Sequence, residues 1–239
     1  MTAVVLVMAK VPVPGEVKTR LGAVVGPAAA AELALAALVD TLAVCGAVFD
    51  DCHVALAGDL DRVVGRRTLH DALAGWAVHP QRGHGFAARL ANAHADVARE
   101  ADAPVVQIGM DTPHLGVGQL RDVADLVGRG NDAVLGAAED GGWWVLAVTD
   151  PRLAQPLAGV EMSTRRTYDD TLAALCQAGA NVAGTATLRD VDTEADAELA
   201  AVAAPATRFA RRWRQLRDEG HDRGHDRGRG EGHDDEVPR

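Results

Sequence analysis

Short valine-rich apolar runs alternate with longer alanine- and leucine-rich segments along most of the chain. Ala3 to Ala9 has no polar position at all, which reads as a strand buried on both faces. Pro27 to Cys45 then reads as a helix, with Pro27 suited to a first helical position and Glu32 in its early turns near the positive end of the dipole. The alternation continues through His53 to Ala57, Gly85 to Glu100, Val105 to Gly109, Gly118 to Val127 and Ala133 to Gly136, and it predicts a mostly parallel sheet with helices on its faces. Gly141 and Gly142 break the rhythm. They lead straight into Trp143 to Val148 and leave no room for a helix, so this run lies antiparallel to the one before it or is reached by a crossing loop, and the sheet is mixed. Thr164 to Ala178 reads as a further helix and Val182 to Leu188 as a late strand. Thr193, with Asp196 three residues on, has the form of an N-terminal cap for a helix running to Val202.

This pattern predicts one α/β domain over residues 1–204, a basic helix over 205–219, and a disordered tail over 220–239, where a Gly-His-Asp-Arg repeat offers almost nothing apolar to bury. The tail's His221, His225 and His233 read as solvated. With 48% hydrophobic but only 3% aromatic residues, the core is built from Val, Leu and Ala. A formal charge of -10 speaks against nucleic acid as a partner. Cys45, Cys52 and Cys176 form no CxxC pair and fit a reduced protein. The N-terminal apolar run is too short to span a membrane and has no basic leader, so no membrane insertion and a cytoplasmic location are expected. His79, His84 and His114 read as ordinary loop residues, since no His/Cys spacing has zinc-site regularity.

Four polar clusters fall where an open α/β sheet presents the carboxyl ends of its strands. The first, Ala9 to Leu21, carries Lys10, Lys18 and Arg20 in a loop whose path is fixed by Pro12, Pro14 and Gly15, the outline of a phosphate cradle or of a solvated basic loop. It is not a Walker loop, because Val17 precedes Lys18 and Val13 stands where that motif has its earlier glycine. The second, Gly109 to Leu115, delivers Asp111 into a turn enforced by Pro113, either to hold a hard divalent cation or merely to organise the turn. The third, Gly136 to Trp144, sets Glu139 and Asp140 beside two glycines. That suits an acid or base facing an acceptor, and also an ordinary Asp-Gly hairpin turn. The fourth is Asp190-Val191-Asp192. On an extended segment both carboxylates face one way and one can complete a metal shell, with helix capping as the rival explanation.

Taken together and in order, these clusters resemble a bacterial family of nucleotide-diphospho-sugar-transferase-like proteins, labelled glycosyltransferases and sometimes found with arsenosugar biosynthesis. Its pattern, AK-x-P-x-PG-x-VKTRL, G-x-D-x-P-x-L, G-x-AEDGG followed by aromatics, and RDVDT-x-x-D, is met by Ala9 to Leu21, Gly109 to Leu115, Gly136 to Trp144 and Arg189 to Asp196. The similarity spans about residues 1–200 and implies a single-domain GT-A fold. It further implies nucleotide or phosphate binding by Ala9, Lys10, Gly15, Lys18, Thr19 and Arg20, acceptor binding by Arg89, Gly141, Gly142 and Trp143, and a magnesium or manganese ion on Asp111 and Asp192. Lys18, Glu139 and Asp140 are the implied catalytic residues. Two segments depart from the family: Phe86-Ala87-Ala88-Arg89-Leu90 replaces Leu-Gly-Glu-Arg-Leu, and Met162-Ser163 replaces Trp-Ser. Asp111 also lacks the second aspartate of the glycosyltransferase DxD. The leading expectation is glycosyl transfer from a nucleoside diphosphate sugar to a small acceptor. The Lys-Thr-Arg-Leu element is also similar to phospholactate guanylyltransferases, which makes nucleotidyl transfer with release of pyrophosphate the alternative, and a non-catalytic nucleotide-binding module the third reading.

Overall fold

The unbroken apolar run near the start of the chain becomes the strand β1 (Val4–Lys10), in a computed structural model that describes residues 3–227. Val5, Val7 and Ala9 face one helical layer while Val4, Leu6 and Met8 face the other, so no polar alternation survives in the sequence. β2 (Cys52–Ala57) and β4 (Val105–Gly109) flank β1 in parallel, and β3 (Ala77–Pro80) adds outside β2. On the other side β6 (Trp143–Val148) runs antiparallel to both β4 and β5 (Ala133–Ala138), and β7 (Val182–Leu188) lies parallel to β5. The strand order is β3-β2-β1-β4-β6-β5-β7. The mixed, mostly parallel sheet expected from the sequence is present, with the reversal at the strand that follows Gly141-Gly142.

Helices α2 (Pro27–Gly46) and α5 (Val117–Val127) cover one face of the sheet, where Leu35, Leu38, Leu42, Leu120 and Val123 meet Val5, Val7 and Ile108. The opposite face is covered by α4 (Gly85–Val97), a 3-10 segment Pro151–Gly159 and α6 (Thr167–Gln177). A third cluster joins α1 (Thr19–Val25), α2, α7 (Glu194–Ala203) and α8 (Arg208–Arg227) through Leu21, Leu33, Val191, Phe209 and Trp213. Contact on two sides explains why α2 is apolar almost all round. By length and composition it is apolar enough to cross a bilayer, with a mean hydropathy of 1.8, yet 61% of that window is buried inside the protein.

Three short elements were not foreseen: α1, α3 (Arg66–Ala72) and β3. β3 has four residues, alternates half-buried and exposed positions, and ends at a proline, as edge strands tolerate. The basic C-terminal helix packs into the body through Phe209, Ala210 and Trp213. It continues to Arg227, into the segment expected to be disordered, and residues 228–239 of that tail lie outside the described residues.

Candidate active site

The four polar clusters emerge at one edge of the sheet, three from the carboxyl ends of β1, β4 and β7 and one from the turn between β5 and β6. The loop after β1 is pinned by backbone hydrogen bonds from Val11 N to the Ala57 carbonyl (2.8 Å) and from Val64 N to the Pro12 carbonyl (3.0 Å). Gly15 supplies a φ of 81°, which a side chain would resist. Lys18 then takes a left-handed φ of 46° without being glycine, a strained conformation of the kind that collects at functional sites.

Its side chain is only 8% exposed, and its Nζ lies 2.5 Å from Asp111 Oδ1 and 3.2 Å from Asp192 Oδ1. Burial alone would lower the pKa of this ammonium, but the attraction of Asp111 and Asp192 outweighs it and holds the group above the usual lysine value. Residues from the beginning, middle and end of the chain therefore meet at one point. A main-chain bond helps to set the spacing, since Val191 N donates to the Asp111 carbonyl at 2.9 Å. Val191 is buried beneath, and Asp190 and Asp192 emerge on either side of it.

Two adjoining cavities open here. One of about 350 Å³ is lined by Lys10, Lys18, Gln81, Arg89, Asp111 and Asp192 among others, within the size range of small-ligand pockets. The other, of about 220 Å³, is walled by Phe86, Trp143, Trp144 and Met162 and carries Asp140 and Asp190. Met8, Phe86 and Asp111 belong to both. The Asp190 carboxyl is pushed up to about 7, by burial first and then by the charge of Asp111, with Asp140 and Asp192 adding to it and Lys18 opposing.

The remaining sequence-derived candidates divide. Lys10 sits at the mouth of the larger cavity and donates to the Glu16 carbonyl at 2.7 Å, and Ala9 lines the wall with its carbonyl taken by Gln81 Nε2 at 3.0 Å. Thr19 opens α1 on the surface. Arg20 is 78% exposed, reaches Asp192 only at 3.9 Å and lies outside the lining. Gly142 and Trp143 line the smaller cavity, whereas Gly141 stands behind them at φ 95°, against the Arg165 backbone. Asp140 does two jobs, closing the turn by accepting from Gly142 N at 2.8 Å and facing the cavity. Glu139 lines neither cavity. It is exposed and pairs with Arg189, which also holds Asp196 at 3.1 Å.

Several contributors carry no signal in the sequence. Gln81 follows β3 and ties it to β1 and β2 through the Ala9 and Ala55 carbonyls, at 3.0 and 2.9 Å. The sequence set Asp190 beside Asp192 but could not separate them into different cavities. Of the three histidines expected in loops, His79 instead lies on β3, because the four-residue strand is too short for its alternation to be read.

Residues 31–164 match a family described as "Uncharacterized protein conserved in bacteria (DUF2064)". The chain belongs to the DUF2064 family. That match contains the second and third polar clusters, so in this DUF2064 chain the Lys18 loop and the Asp190-Asp192 segment lie beyond it. No curated protein matches the sequence. Among solved structures, a protein of Desulfovibrio desulfuricans G20, provisionally titled a nucleotide-diphospho-sugar transferase, is similar with a TM-score of 0.78, 24% identity, and coverage of 92% of this chain and 96% of that one. A cytidylyltransferase of Leptospira borgpetersenii (TM-score 0.53, 15% identity, 92% and 96% covered) and a 4-diphosphocytidyl-2C-methyl-D-erythritol synthase (TM-score 0.54, 11% identity, 85% and 99% covered) are also similar. At these identities the likeness establishes a shared fold, the GT-A-like mixed sheet expected from the motifs.

Proposed function

We propose that the protein is a transferase that takes a nucleotide donor, with glycosyl transfer from a nucleoside diphosphate sugar to a small acceptor as the leading reaction. The observation that carries this reading is the buried Lys18 ammonium held between Asp111 and Asp192 at the floor of the larger cavity. Proteins that share its fold, described as a nucleotide-diphospho-sugar transferase and a cytidylyltransferase among others, support the same reading.

Lys18 and Lys10 would meet the diphosphate of the donor, and Arg89, which the family resemblance implies for the acceptor, lines this cavity and not the smaller one and would meet the more distal part of the donor. Asp111, Asp190 and Asp192 surround a single ammonium, an oxygen-rich site with excess negative charge that suits a hard divalent ion. Asp111 and Asp192 would hold magnesium or manganese, which when bound supplies positive charge against the departing diphosphate. In the smaller cavity the acceptor hydroxyl oxygen would bond to the anomeric carbon as the bond from that carbon to the diphosphate oxygen breaks. The hydroxyl proton would pass to a carboxylate of the cavity, and with Glu139 held by Arg189 that role falls to Asp140 or Asp190. The aromatic and thioether wall of Phe86, Trp143 and Met162 favours an acceptor with an apolar face.

Nucleotidyl transfer would use the same cations, and it is favoured by the cytidylyltransferase likeness. Incubation with panels of nucleoside diphosphate sugars and nucleoside triphosphates, with magnesium and candidate acceptors, separates the two. Release of nucleoside diphosphate from a sugar nucleotide supports the first reaction, and release of pyrophosphate from a triphosphate replaces it with the second. Neither product, with nucleotides still bound, leaves a non-catalytic nucleotide-binding module.

A further inference from the structure

Away from the proposed active site, towards the amino-terminal edge of the sheet, β2, β3 and the chain after α4 bring His53, His79 and Glu100 together. One ligand atom from each lies within 4.8 Å of the others. His53 is 3% exposed and His79 13% exposed in their side chains, while Glu100 closes the group from the surface at 52%. His53 Nδ1 lies 2.9 Å from His79 Nε2 and 3.8 Å from Glu100 Oε2, and His79 Nδ1 lies 3.8 Å from Glu100 Oε1.

The outer nitrogen of His53 decides what the inner one can do. Its Nε2 donates to Asp51 Oδ1 at 3.1 Å, so Nδ1 carries a lone pair aimed at His79. If His79 turns an N–H towards His53, its own Nδ1 lone pair is left facing the Glu100 carboxylate. If instead it turns the N–H towards Glu100, two lone pairs meet at 2.9 Å. With neutral rings, either arrangement leaves a nitrogen lone pair facing another acceptor, between two carboxylates, and a cation bound among them would satisfy it. A carboxylate on the far nitrogen of a histidine is also the usual outer partner of a metal-bound imidazole, which it orients and makes more basic.

We infer that His53, His79 and Glu100 form a second divalent-metal site, for a borderline cation of the zinc class, with Asp51 orienting His53. Two imidazoles and one carboxylate select such an ion over magnesium, which prefers oxygen donors. The nitrogen separation of 2.9 Å is shorter than the edge of a tetrahedron with zinc–nitrogen bonds, about 3.3 Å, and the two rings lie nearly parallel, at 7° with centroids 5.2 Å apart, so loading requires the rings both to part and to tilt until their lone pairs converge on the ion. Three protein ligands leave the remaining position to solvent. Such an ion would staple the four-residue edge strand β3 to β2 and to the end of α4.

The test uses full-length protein freed of metal with a chelator, titrated with Co2+ and followed by visible absorption, and heated with and without Zn2+. His79→Gln and Glu100→Gln provide the comparison. They keep the tail histidines and the Asp111 cluster, so metal bound there cancels in the difference, and Glu100, on the surface, is readily replaced without loss of fold. The expected result is one more Co2+ equivalent with a nitrogen-ligand spectrum in the wild type than in either variant. A zinc-induced rise in Tm of roughly 5 °C at a hundredfold excess over Kd should accompany it in the wild type alone. Equal stoichiometry and equal Tm shifts in all three proteins, or no binding in any, overturns the assignment.

Discussion

Lys18 is held against preference twice, by a left-handed backbone and by an ammonium taken out of water. Asp111 and Asp192 offset the second cost; that these three residues meet was expected from the order of the motifs, whereas their direct ion pairing was not. The separate placement of Asp190 was not, because its distinction from Asp192 depends on which side of buried Val191 each emerges. That placement has a measurable consequence. With its carboxyl pushed up to about 7, the folded protein holds this proton more tightly than the unfolded chain, whose aspartates titrate near 4. Its favourable contribution is therefore complete below about pH 4 and is lost as pH rises through 7. Asp190→Asn cannot ionise. Without added divalent ions its Tm should match wild type near pH 4 and exceed it by a few degrees at pH 8, about 1 kcal/mol or more. Parallel Tm profiles for the two proteins across that range would show that Asp190 titrates as an ordinary aspartate. His94 works in the opposite sense. It is wholly buried, bonds Gln107 at 2.7 Å and has its pKa lowered to about 4, so the stability it contributes above about pH 6.5 is lost as pH falls through 4.

Among the elements, strands with two buried faces announce themselves as apolar runs, which is why β1, β4, β5 and β6 were legible within a residue or two of their bounds. The cap at Thr193 was equally plain: its Oγ1 accepts from Asp196 N at 3.3 Å while Asp196 reaches back to Thr193 N at 2.9 Å. α1, α3 and β3 were not legible, since each has four to seven residues and too few apolar positions to reveal a period. The turn between β5 and β6 allowed a structural and a chemical reading, and both hold in geometry, because Asp140 closes the turn and also lines the smaller cavity. Gly141 has the sharper requirement. At φ 95° a Cβ would enter the Arg165 backbone, and its carbonyl accepts from Tyr168 N at 2.9 Å near the start of α6. Gly141→Ala should destabilise the protein by at least about 2 kcal/mol in urea denaturation. A loss under half that would mean that the Arg165 strand of backbone moves aside without cost.

For the whole molecule, the C-terminal basic stretch was readable as a helix but not as part of the packed body. Its charged residues dominate the composition, and a few apolar positions, Phe209, Ala210 and Trp213 with Leu216 beside them, disclose the buried face. Trp213 is 1% exposed and donates to Glu198 Oε2 at 2.8 Å, so Trp213→Ala should cost about 3–5 kcal/mol of stability by denaturant unfolding. A change below about 1 kcal/mol would show that α8 is dispensable to the fold. α8 and α7 complete the cluster that buries Val191, and through it the spacing of Asp190 and Asp192. The account therefore rests on one convergence, of Lys18 with Asp111 and Asp192 on a single donor diphosphate. Calorimetric titration of nucleoside diphosphates into wild type and Lys18→Ala, with magnesium present, measures it most directly. The account predicts saturable binding to the wild type, weakened at least about tenfold by the substitution, in line with the loss of a charge-assisted contact. Equal affinity in the two proteins, or no binding to the wild type by any nucleotide, would contradict it.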